Sequence, residues 1–349
     1  MYKKFFMGIA AMAAMTLVSC SSDDLNSLSD NSSKNEAINF DGYLGRSAVA
    51  VNGSRGSELT KDALQKPEKG FGVFGNYSST GSTTVYGENL FKNEQVTYST
   101  PSTSTNTNWT YTNTKYWPTE GHIDFLAYAP YDSKQLLKDN QKLDFTVNSI
   151  VKDQQDLLWA NADNKTKDDN PVKFTFNHAL AKIGYSLKQK ETYSSSSSTT
   201  ITVTSIKLVG SETTNAFYTV GTIDLAKPNK DENLWAIADD VKKQNFDWFN
   251  GGAVLTTDAA DNNNAADKNL FVIPQDFSAT NKLFVVVEYT VQTDGTAELK
   301  NKVSKQITTN FKQGMAYMIN LTLGLTPIEF DVTTVEKWID GGKEDITLE

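Results

Sequence analysis

Cysteine and histidine are nearly absent from this sequence, and their scarcity excludes several kinds of chemistry. The chain has 349 residues but only one cysteine, Cys20, and two histidines, His122 and His178. A single cysteine cannot form an intramolecular disulfide. A structural zinc site needs about four Cys or His ligands, and a Ser-His-Asp triad would have to use one of the two histidines. Because His178 continues an apolar alternation and His122 sits in a turn before a strand, we interpret both as packing residues. We therefore predict no catalytic residue and no bound metal.

Signals for a cofactor or for nucleic acid are missing as well. Residues Gly70 to Gly75 fit the spacing G-x-G-x-x-G, but this pattern binds a pyrophosphate only where it joins a strand to a helix. Pro67 precedes it and a polar run follows, so a glycine-spaced strand is the better interpretation. The net charge of −9 opposes contact with phosphates. We predict no cofactor, no nucleic-acid partner and no enzymatic activity.

The first residues have the organisation of a secretory targeting segment. Lys3 and Lys4 precede an apolar run from Phe5 to Val18. This run is shorter than the roughly 20 residues that a membrane-spanning helix needs. The pattern predicts a signal peptide over residues 1–19 and no transmembrane helix.

Cys20 is the predicted lipidation site. A small residue directly before a cysteine, at the end of such a run, resembles the lipobox of bacterial lipoproteins. Acyl chains on Cys20 would hold the protein in the outer membrane, since each buried CH₂ contributes about 0.8 kcal/mol. Residues 20–36 are mostly polar and predict a flexible tether. The Ser-Asp stretch after Cys20 resembles the export signal of surface lipoproteins, which places the expected anchor on the outside of the cell.

Apolar side chains alternate with period two through much of the remaining chain, as half-buried strands require. The clearest cases are Ile38/Phe40/Leu44, Ile123/Phe125/Ala127, Leu143/Phe145/Val147, Val172/Phe174/Phe176, Leu283/Val285/Val287/Tyr289 and Tyr317/Ile319/Leu321/Leu323. Apolar residues also fill the intervening positions Phe284 and Val286, which predicts a central strand covered on both faces. A slip of the pattern between Val203 and Ile206 predicts a β-bulge.

The length of the chain predicts two domains, because one core rarely serves so many residues. We place their boundary near Asn170-Pro171, where the acidic stretch Lys165 to Asn170 breaks the alternation, which gives domains of residues 37–170 and 171–349. Three short segments have helix signals: residues 57–65, 133–139 and 234–243. We predict an all-β fold with few short helices.

Arginine is confined to two positions. The chain has 33 Lys and Arg residues together, yet the only arginines are Arg46 and Arg55. A protease that cuts after arginine would therefore remove the lipid, the tether and the strand Ile38 to Leu44, and it would have no other site. Chance preference for lysine is the alternative explanation.

Several short motifs, taken in order, resemble the fimbrillin family of Bacteroidales lipoproteins, the type V pilins. They follow the lipobox leader and span the chain: Ile38-Asn39-Phe40 with Arg46, Phe71-Gly72-Val73-Phe74, Lys115-Tyr116-Trp117-Pro118, Asp124 to Tyr131, Asp156-Leu157-Leu158, and Phe174-x-Phe176-x-His178-Ala179-Leu180. The resemblance implies two transthyretin-like β-sandwich domains and a structural or adhesive role in a fimbria.

The resemblance also implies assembly by strand exchange after cleavage at Arg46 or Arg55. The displaced strand would carry Ile38, Phe40 and Leu44, and the donor strand would carry Ile328, Phe330, Val332, Val335 and Trp338. Expected partners are other fimbrial subunits, outer-membrane lipid through Cys20, and a host or bacterial surface ligand. Stalk, tip and anchor roles all stay open, because an anchor subunit would keep its lipid and first strand. The turn at Asp340 could also cap the chain instead of donating it.

A monomeric, anchored lipoprotein that binds surface glycans is the competing hypothesis. Aromatic side chains stack on sugars, and the candidates for this role are Tyr111, Tyr116, Trp235, Trp248 and Trp338. Core packing is the alternative use of most of them.

Overall fold

The computed structural model describes residues 36–44, 59, 64–66, 69–99, 109–190, 198–228, 234–256, 260–261, 269–278, 280–325 and 331–336, with side chains for all of these except 43–44, 260–261 and 331–336. The described residues belong to the unit Glu36–Glu349.

Nearly all regular structure in the described residues is β, as the alternating pattern predicts. The strands of the first half are β1 (Phe40–Leu44), β2 (Phe71–Ser78), β3 (Phe91–Tyr98), β4 (Trp109–Thr110), β5 (His122–Ala129), β6 (Lys142–Thr146), β7 (Leu158–Lys165), β8 (Val172–His178), β9 (Ala181–Gln189), β10 (Thr199–Val209), β11 (Phe217–Tyr218) and β12 (Val220–Asp224). The second half adds β13 (Trp235–Ala236), β14 (Lys243–Gln244), β15 (Phe246–Val254), β16 (Ala260–Asp261), β17 (Leu270–Val272), β18 (Gln275–Asp276), β19 (Phe284–Thr293), β20 (Leu299–Gln306), β21 (Asn310–Phe311), β22 (Ala316–Leu323) and β23 (Asp331–Glu336). Short 3₁₀ turns occupy Val151–Asp153 and Lys167–Asp169.

Three larger sheets organise these strands. The first has the order β1-β8-β7-β5-β2-β3-β4, the second β15-β10-β19-β20, and the third β16-β9-β22-β23 with β17 also on β9. Smaller sheets join β13-β12-β6, β11-β14 and β18-β21. Most neighbours are antiparallel, but β1 on β8 and β22 on β9 are parallel.

The sheets enclose two apolar cores. The N-terminal core contains Ile38, Phe40, Phe71, Phe125 and Phe174, among others, and the larger core is built mainly from strands β9 to β22. The two faces of the first sheet contribute to different cores. Ile123 and Phe125 point into the N-terminal core, whereas Leu126 and Tyr128 of the same strand join the larger one.

The strand with two covered faces is β5 and not β19. Every residue of β5 is buried. Strand β19 does lie inside its sheet, between β10 and β20, but Phe284 and Val286 are only half-buried. The expectation of two covered faces was therefore wrong for β19, because nothing in the described residues packs fully over its outer face. The predicted bulge is confirmed, since the register of β10 shifts between Val203 and Ser205 against both of its neighbours.

Two of the predicted helices do not form. Residues 133–139 are turn and extended chain, and residues 234–243 contain β13 and the start of β14. In residues 234–243, the contacts of Trp235 favour the strand over the helix. Its ring packs 6.2 Å from that of Phe145, and its indole N–H donates to the carbonyl of Ala179 at 2.8 Å. Residues 57–65 lie largely outside the described residues.

The division into domains at residues 170 and 171 stays a prediction. Strand β8, which follows that boundary directly, pairs with β1 and β7 of the first sheet. Its Phe174 and Phe176 lie in the N-terminal core. The first core therefore continues to the end of β8.

Candidate functional site

The predicted first strand lies at one edge of the seven-stranded sheet. Strand β1 pairs in parallel with β8, and the register runs from Phe40 beside Val172 to Leu44 beside Phe176. Ile38 and Phe40 have no solvent-exposed surface. We call the space that residues 36–42 fill the first-strand slot.

Four aromatic rings pack against Phe40. Its ring centroid lies 5.4 Å from Phe91, 5.5 Å from Tyr111, 5.6 Å from Phe125 and 5.7 Å from Phe174. Edge-to-face and offset pairs at such distances are favourable beyond the area they bury. Phe40 is thus the central anchor of the strand.

The residues just before β1 bridge to the far side of the slot. The N–H of Ile38 donates to the carbonyl of Lys115 at 2.8 Å, and the N–H of Trp117 donates to the carbonyl of Glu36 at 3.0 Å. The Tyr111 hydroxyl donates to the carbonyl of Ile38 at 2.8 Å. The first segment therefore connects β8 on one side with residues 115–117 on the other.

The side chain of Asn170 holds the same segment from the β8 side. Its Oδ1 accepts the N–H of Asn39 at 2.9 Å, and its Nδ2 donates to Glu36 Oε1 at 2.6 Å and to the Ala37 carbonyl at 3.1 Å. The N–H of Val172 donates to the Asn39 carbonyl at 2.8 Å. Most of these bonds involve the backbone of the first segment, so another strand could accept them in the same way.

Gly42 packs closely against the rings of Phe71 and Trp109. A Cβ built on it would lie 3.1 Å from Cε1 of Phe71 and 3.4 Å from the indole of Trp109. The slot thus has room for large side chains at positions 38 and 40 and for almost none at position 42.

Tyr111 stays protonated as a donor over the ordinary pH range. Burial raises the pKa of its phenol to about 12, against a smaller lowering by the hydrogen bond with the backbone at Lys115. Its hydroxyl also accepts the N–H of Lys115 at 3.1 Å. Through one oxygen, Tyr111 therefore joins Ile38 of the inserted segment to Lys115 in the wall of the slot.

The other predicted site residues are only partly within the described structure. Cys20, Arg46, Arg55, Ile328, Phe330 and Trp338 lie outside the described residues. Leu44 is the last residue of β1 whose backbone pairs with β8, where it lies beside Phe176. Val332 and Val335 lie in β23, which pairs antiparallel with β22 beside Leu321 and Met318. The first strand and β23 thus belong to different sheets.

Both histidines form buried pairs with an aspartate. His122 Nε2 lies 3.2 Å from Asp124 Oδ2, and His178 Nδ1 lies 2.6 Å from Asp156 Oδ2. Both aspartates also accept backbone N–H groups, including that of Leu59 on Asp156 at 3.3 Å. All four side chains of these pairs are buried. In the described part of the chain, no group of three or more His, Cys, Asp or Glu is placed to hold a metal.

The aromatic residues of the glycan hypothesis are mostly enclosed. Trp248 is buried against Tyr185, with ring centroids 4.8 Å apart, and Trp235 and Tyr111 are half-buried. Only Tyr116, at 55% exposure, is open to solvent among the four that the structure describes.

The sequence did not reveal the walls of the slot. Asn170 and Lys115 are far from β1 along the chain, and although Lys115 belongs to a family motif, nothing in that motif shows that its carbonyl faces the first strand. Gly42 resembles any other glycine. The alternation of Ile38 and Phe40, the position of Arg46 and the family motif indicated the strand, but none of them showed which strand it pairs with. Among the described residues there is also no helix long and apolar enough to cross a membrane.

The fold defines an all-β protein of the β-sandwich class. The fimbrillin-like family model matches residues 60–338, and the chain belongs to that family, which consists of structural fimbrial subunits and not of enzymes. The recognition of the family from the sequence motifs is thereby confirmed, and the expectation that the chain is not an enzyme agrees with it.

Two relatives illustrate the likeness. Fimbrium subunit Fim1C of Phocaeicola vulgatus is 26% identical, with 98% of each chain covered. The crystal structure of a fimbrial protein from Bacteroides vulgatus has a TM-score of 0.65 and 24% identity, and the match covers 87% of this chain and 99% of that one.

Proposed function

We propose that this chain is a structural and adhesive subunit of cell-surface fimbriae that is exported as a lipoprotein through Cys20. Cleavage after Arg46 or Arg55 removes the first strand, and a strand of another subunit then enters the first-strand slot. The observation that carries the proposal is the complete burial of Phe40 on edge strand β1, which ends two residues before Arg46, and of Ile38 just ahead of that strand.

Loss of the first strand would leave a strongly attractive site. Full burial of an apolar side chain contributes roughly 1.5 to 3 kcal/mol, so Ile38 and Phe40 together account for about 3 to 6 kcal/mol. The vacated edge of β8 would also present unpaired backbone groups, which recruit a new strand. A donor segment would gain both the apolar burial and the backbone hydrogen bonds to β8.

The body of the protein keeps its other contacts after either cut. Leu59 and Leu64, which follow Arg55, are buried in the N-terminal core. The N–H of Leu59 is held by Asp156. The chain beyond Arg55 is therefore anchored independently of β1.

The C-terminal segment is the proposed donor. Strand β23 lies at the edge of its sheet and pairs with β22 alone among the described strands. An edge strand can leave without breaking a sheet in two. Its partners would be other fimbrial subunits, with outer-membrane lipid holding the unprocessed protein and a host or bacterial surface ligand met by the finished fimbria.

Treatment of the purified full-length protein with an arginine-specific protease tests this proposal. Mass spectrometry should find one trimmed product that begins at Ser47 or Gly56, and size-exclusion chromatography should find that it forms oligomers. The double variant Arg46→Lys with Arg55→Lys keeps the charge and should stay whole and monomeric. A trimmed product that is folded but remains monomeric at high concentration would refute strand exchange.

A further inference from the structure

We propose that the first-strand slot selects its donor by side chains at three positions, and that residues 328–332 of a second copy enter it in a single register. Ile328, Phe330 and Val332 take the places of Ile38, Phe40 and Gly42. This inference rests on the proposed strand exchange and specifies how the donor is recognised.

The first strand and the C-terminal segment share a sequence pattern. Residues 38–41 read Ile-Asn-Phe-Asp and residues 328–331 read Ile-Glu-Phe-Asp. In an extended chain, residues two apart point to the same face, so the isoleucine and phenylalanine of either segment can face one core together. The deep, ring-lined position of Phe40 is thus matched by Phe330.

The shared aspartate fits the same register. Asp41 lies beside Lys173 of β8, and Lys173 is exposed. Opposite charges on directly neighbouring strands attract each other. With Phe330 at the position of Phe40, Asp331 meets Lys173 in the same way.

Most polar contacts of the slot are made to the backbone of the inserted strand, the bond from Asn170 to the Glu36 side chain being the exception. Tyr111 donates to the carbonyl of residue 38, Asn170 accepts the N–H of residue 39, and Val172 donates to the carbonyl of residue 39. Any extended strand running parallel to β8 can make these bonds. Discrimination between donors therefore falls on the side chains at positions 38, 40 and 42.

Position 42 is where the two segments differ. The first strand has glycine there, and a Cβ would already lie 3.1 Å from the ring of Phe71. Val332 brings a Cβ and two methyl groups to this point. The chain's own C-terminal segment is thus anchored by Ile328 and Phe330 but opposed at Val332, so a segment with glycine at this position binds more tightly.

Disulfide trapping tests the register. After cleavage the chain has no cysteine, because its one cysteine, Cys20, leaves with the first segment. Trimmed protein with Lys173→Cys is mixed with trimmed protein carrying Asp331→Cys, and neighbouring strand positions lie within the roughly 4.4 to 6.8 Å between Cα atoms that a disulfide tolerates. Disulfide dimers should form. The matched variant Glu329→Cys, displaced by two residues, should give about tenfold fewer.

Peptide binding tests the selectivity at position 42. A fluorescent peptide of residues 326–336, with valine or glycine at position 332, is titrated into the trimmed protein. Removing the overpacked side chain should tighten binding by about tenfold. Because glycine is the poorer strand former, a gain in affinity would have to come from relief of the contact with Phe71 and Trp109. A peptide of residues 36–44 should compete with both.

The outcomes separate this inference from the strand exchange on which it rests. Oligomers that trap equally well through Glu329→Cys, or a glycine peptide that binds no better than the valine peptide, would overturn the register and the selectivity while leaving strand exchange intact. Trimmed protein that neither oligomerises nor binds the 36–44 peptide would overturn both.

Discussion

Phe40 is buried among aromatic rings, and its removal should destabilise the N-terminal core. Four aromatic rings lie within 5.7 Å of its centroid, and it has no exposed surface. Truncation of a buried phenylalanine to alanine destabilises a protein by about 3 to 5 kcal/mol. We expect Phe40→Ala to lower the free energy of unfolding by about that amount in urea titrations. Leu136→Ala, at 75% exposure, is the control and should change it little. A loss below about 1 kcal/mol for Phe40→Ala would contradict this role.

The hydrogen bonds of Asn170 should slow the local opening of residues 36–39. Asn170→Ala removes the acceptor of the Asn39 N–H and two donated hydrogen bonds. A net loss of about 1 to 2 kcal/mol corresponds to roughly tenfold faster local opening. Hydrogen exchange at the Asn39 amide measures it. Asn177→Ala is the matched control, since the Asn177 amide donates to the carbonyl of Thr175, two residues away. Equal exchange rates in both variants would speak against the contribution of Asn170.

Alkaline pH should loosen the slot through Tyr111. The pKa of this phenol is about 12 in the folded protein, above its usual value of 10.0. A folded pKa that is raised means that the native state holds the proton more tightly, so this contribution to stability is complete below pH 10 and is lost as the pH rises through 12. Denaturation curves between pH 9 and 12, at roughly half-unit steps, should show a steeper loss for the wild type than for Tyr111→Phe. If the stability of both proteins falls equally with pH, ionisation of Tyr111 is not the cause of the alkaline loss.

At the scale of elements, strand β20 shows how an exposed sheet edge is kept from pairing. It forms one edge of the second sheet and carries exposed Lys300, Lys302 and Lys305, although the whole chain has a net charge of −9. Lysines on an edge strand discourage edge-to-edge association, because a neighbouring strand would have to bury or repel them. The β20 edge of the second sheet is therefore protected against pairing with an incoming strand.

Replacing these three lysines with threonine should cause association that does not depend on cleavage. Light scattering of the uncut triple variant should rise with protein concentration, whereas the uncut wild type stays monomeric. A second triple variant, with threonine at the exposed Lys134, Lys152 and Lys167, changes the net charge equally away from this edge. If both variants scatter alike, net charge and not the edge is responsible.

The sequence predicted the strands better than it predicted their neighbours. Apolar alternation identified β1, β5, β6, β8, β19 and β22, because a half-buried strand leaves its period in the sequence. The helix signals failed at residues 234–243, where the contacts of Trp235 with Phe145 and Ala179 override a weak helical pattern. The pairing of β1 with β8 could not be derived, because the two strands are more than a hundred residues apart and parallel pairing leaves no local turn to reveal it.

At the scale of the whole molecule, the first sheet separates the slot from the larger core. One face of β5 lines the N-terminal core with Phe125, and the other contributes Leu126 and Tyr128 to the larger core. Removal of β1 uncovers the first of these faces and leaves the second covered. The consequences of cleavage should therefore be confined to one side of this sheet.

Hydrogen exchange of the trimmed protein tests this confinement. Amides of β8 and of the segment 115–117 should exchange faster than in the uncut protein, since both lose a strand partner. Amides of β9, β10, β19 and β22, which belong to the larger core, should keep their protection. Adding a peptide of residues 36–44 should restore slow exchange around the slot, whereas the same peptide with alanine at Phe40 should not. Faster exchange throughout β9 to β22 would mean that the first strand stabilises the entire protein, and a trimmed subunit could not wait in a folded state for its donor.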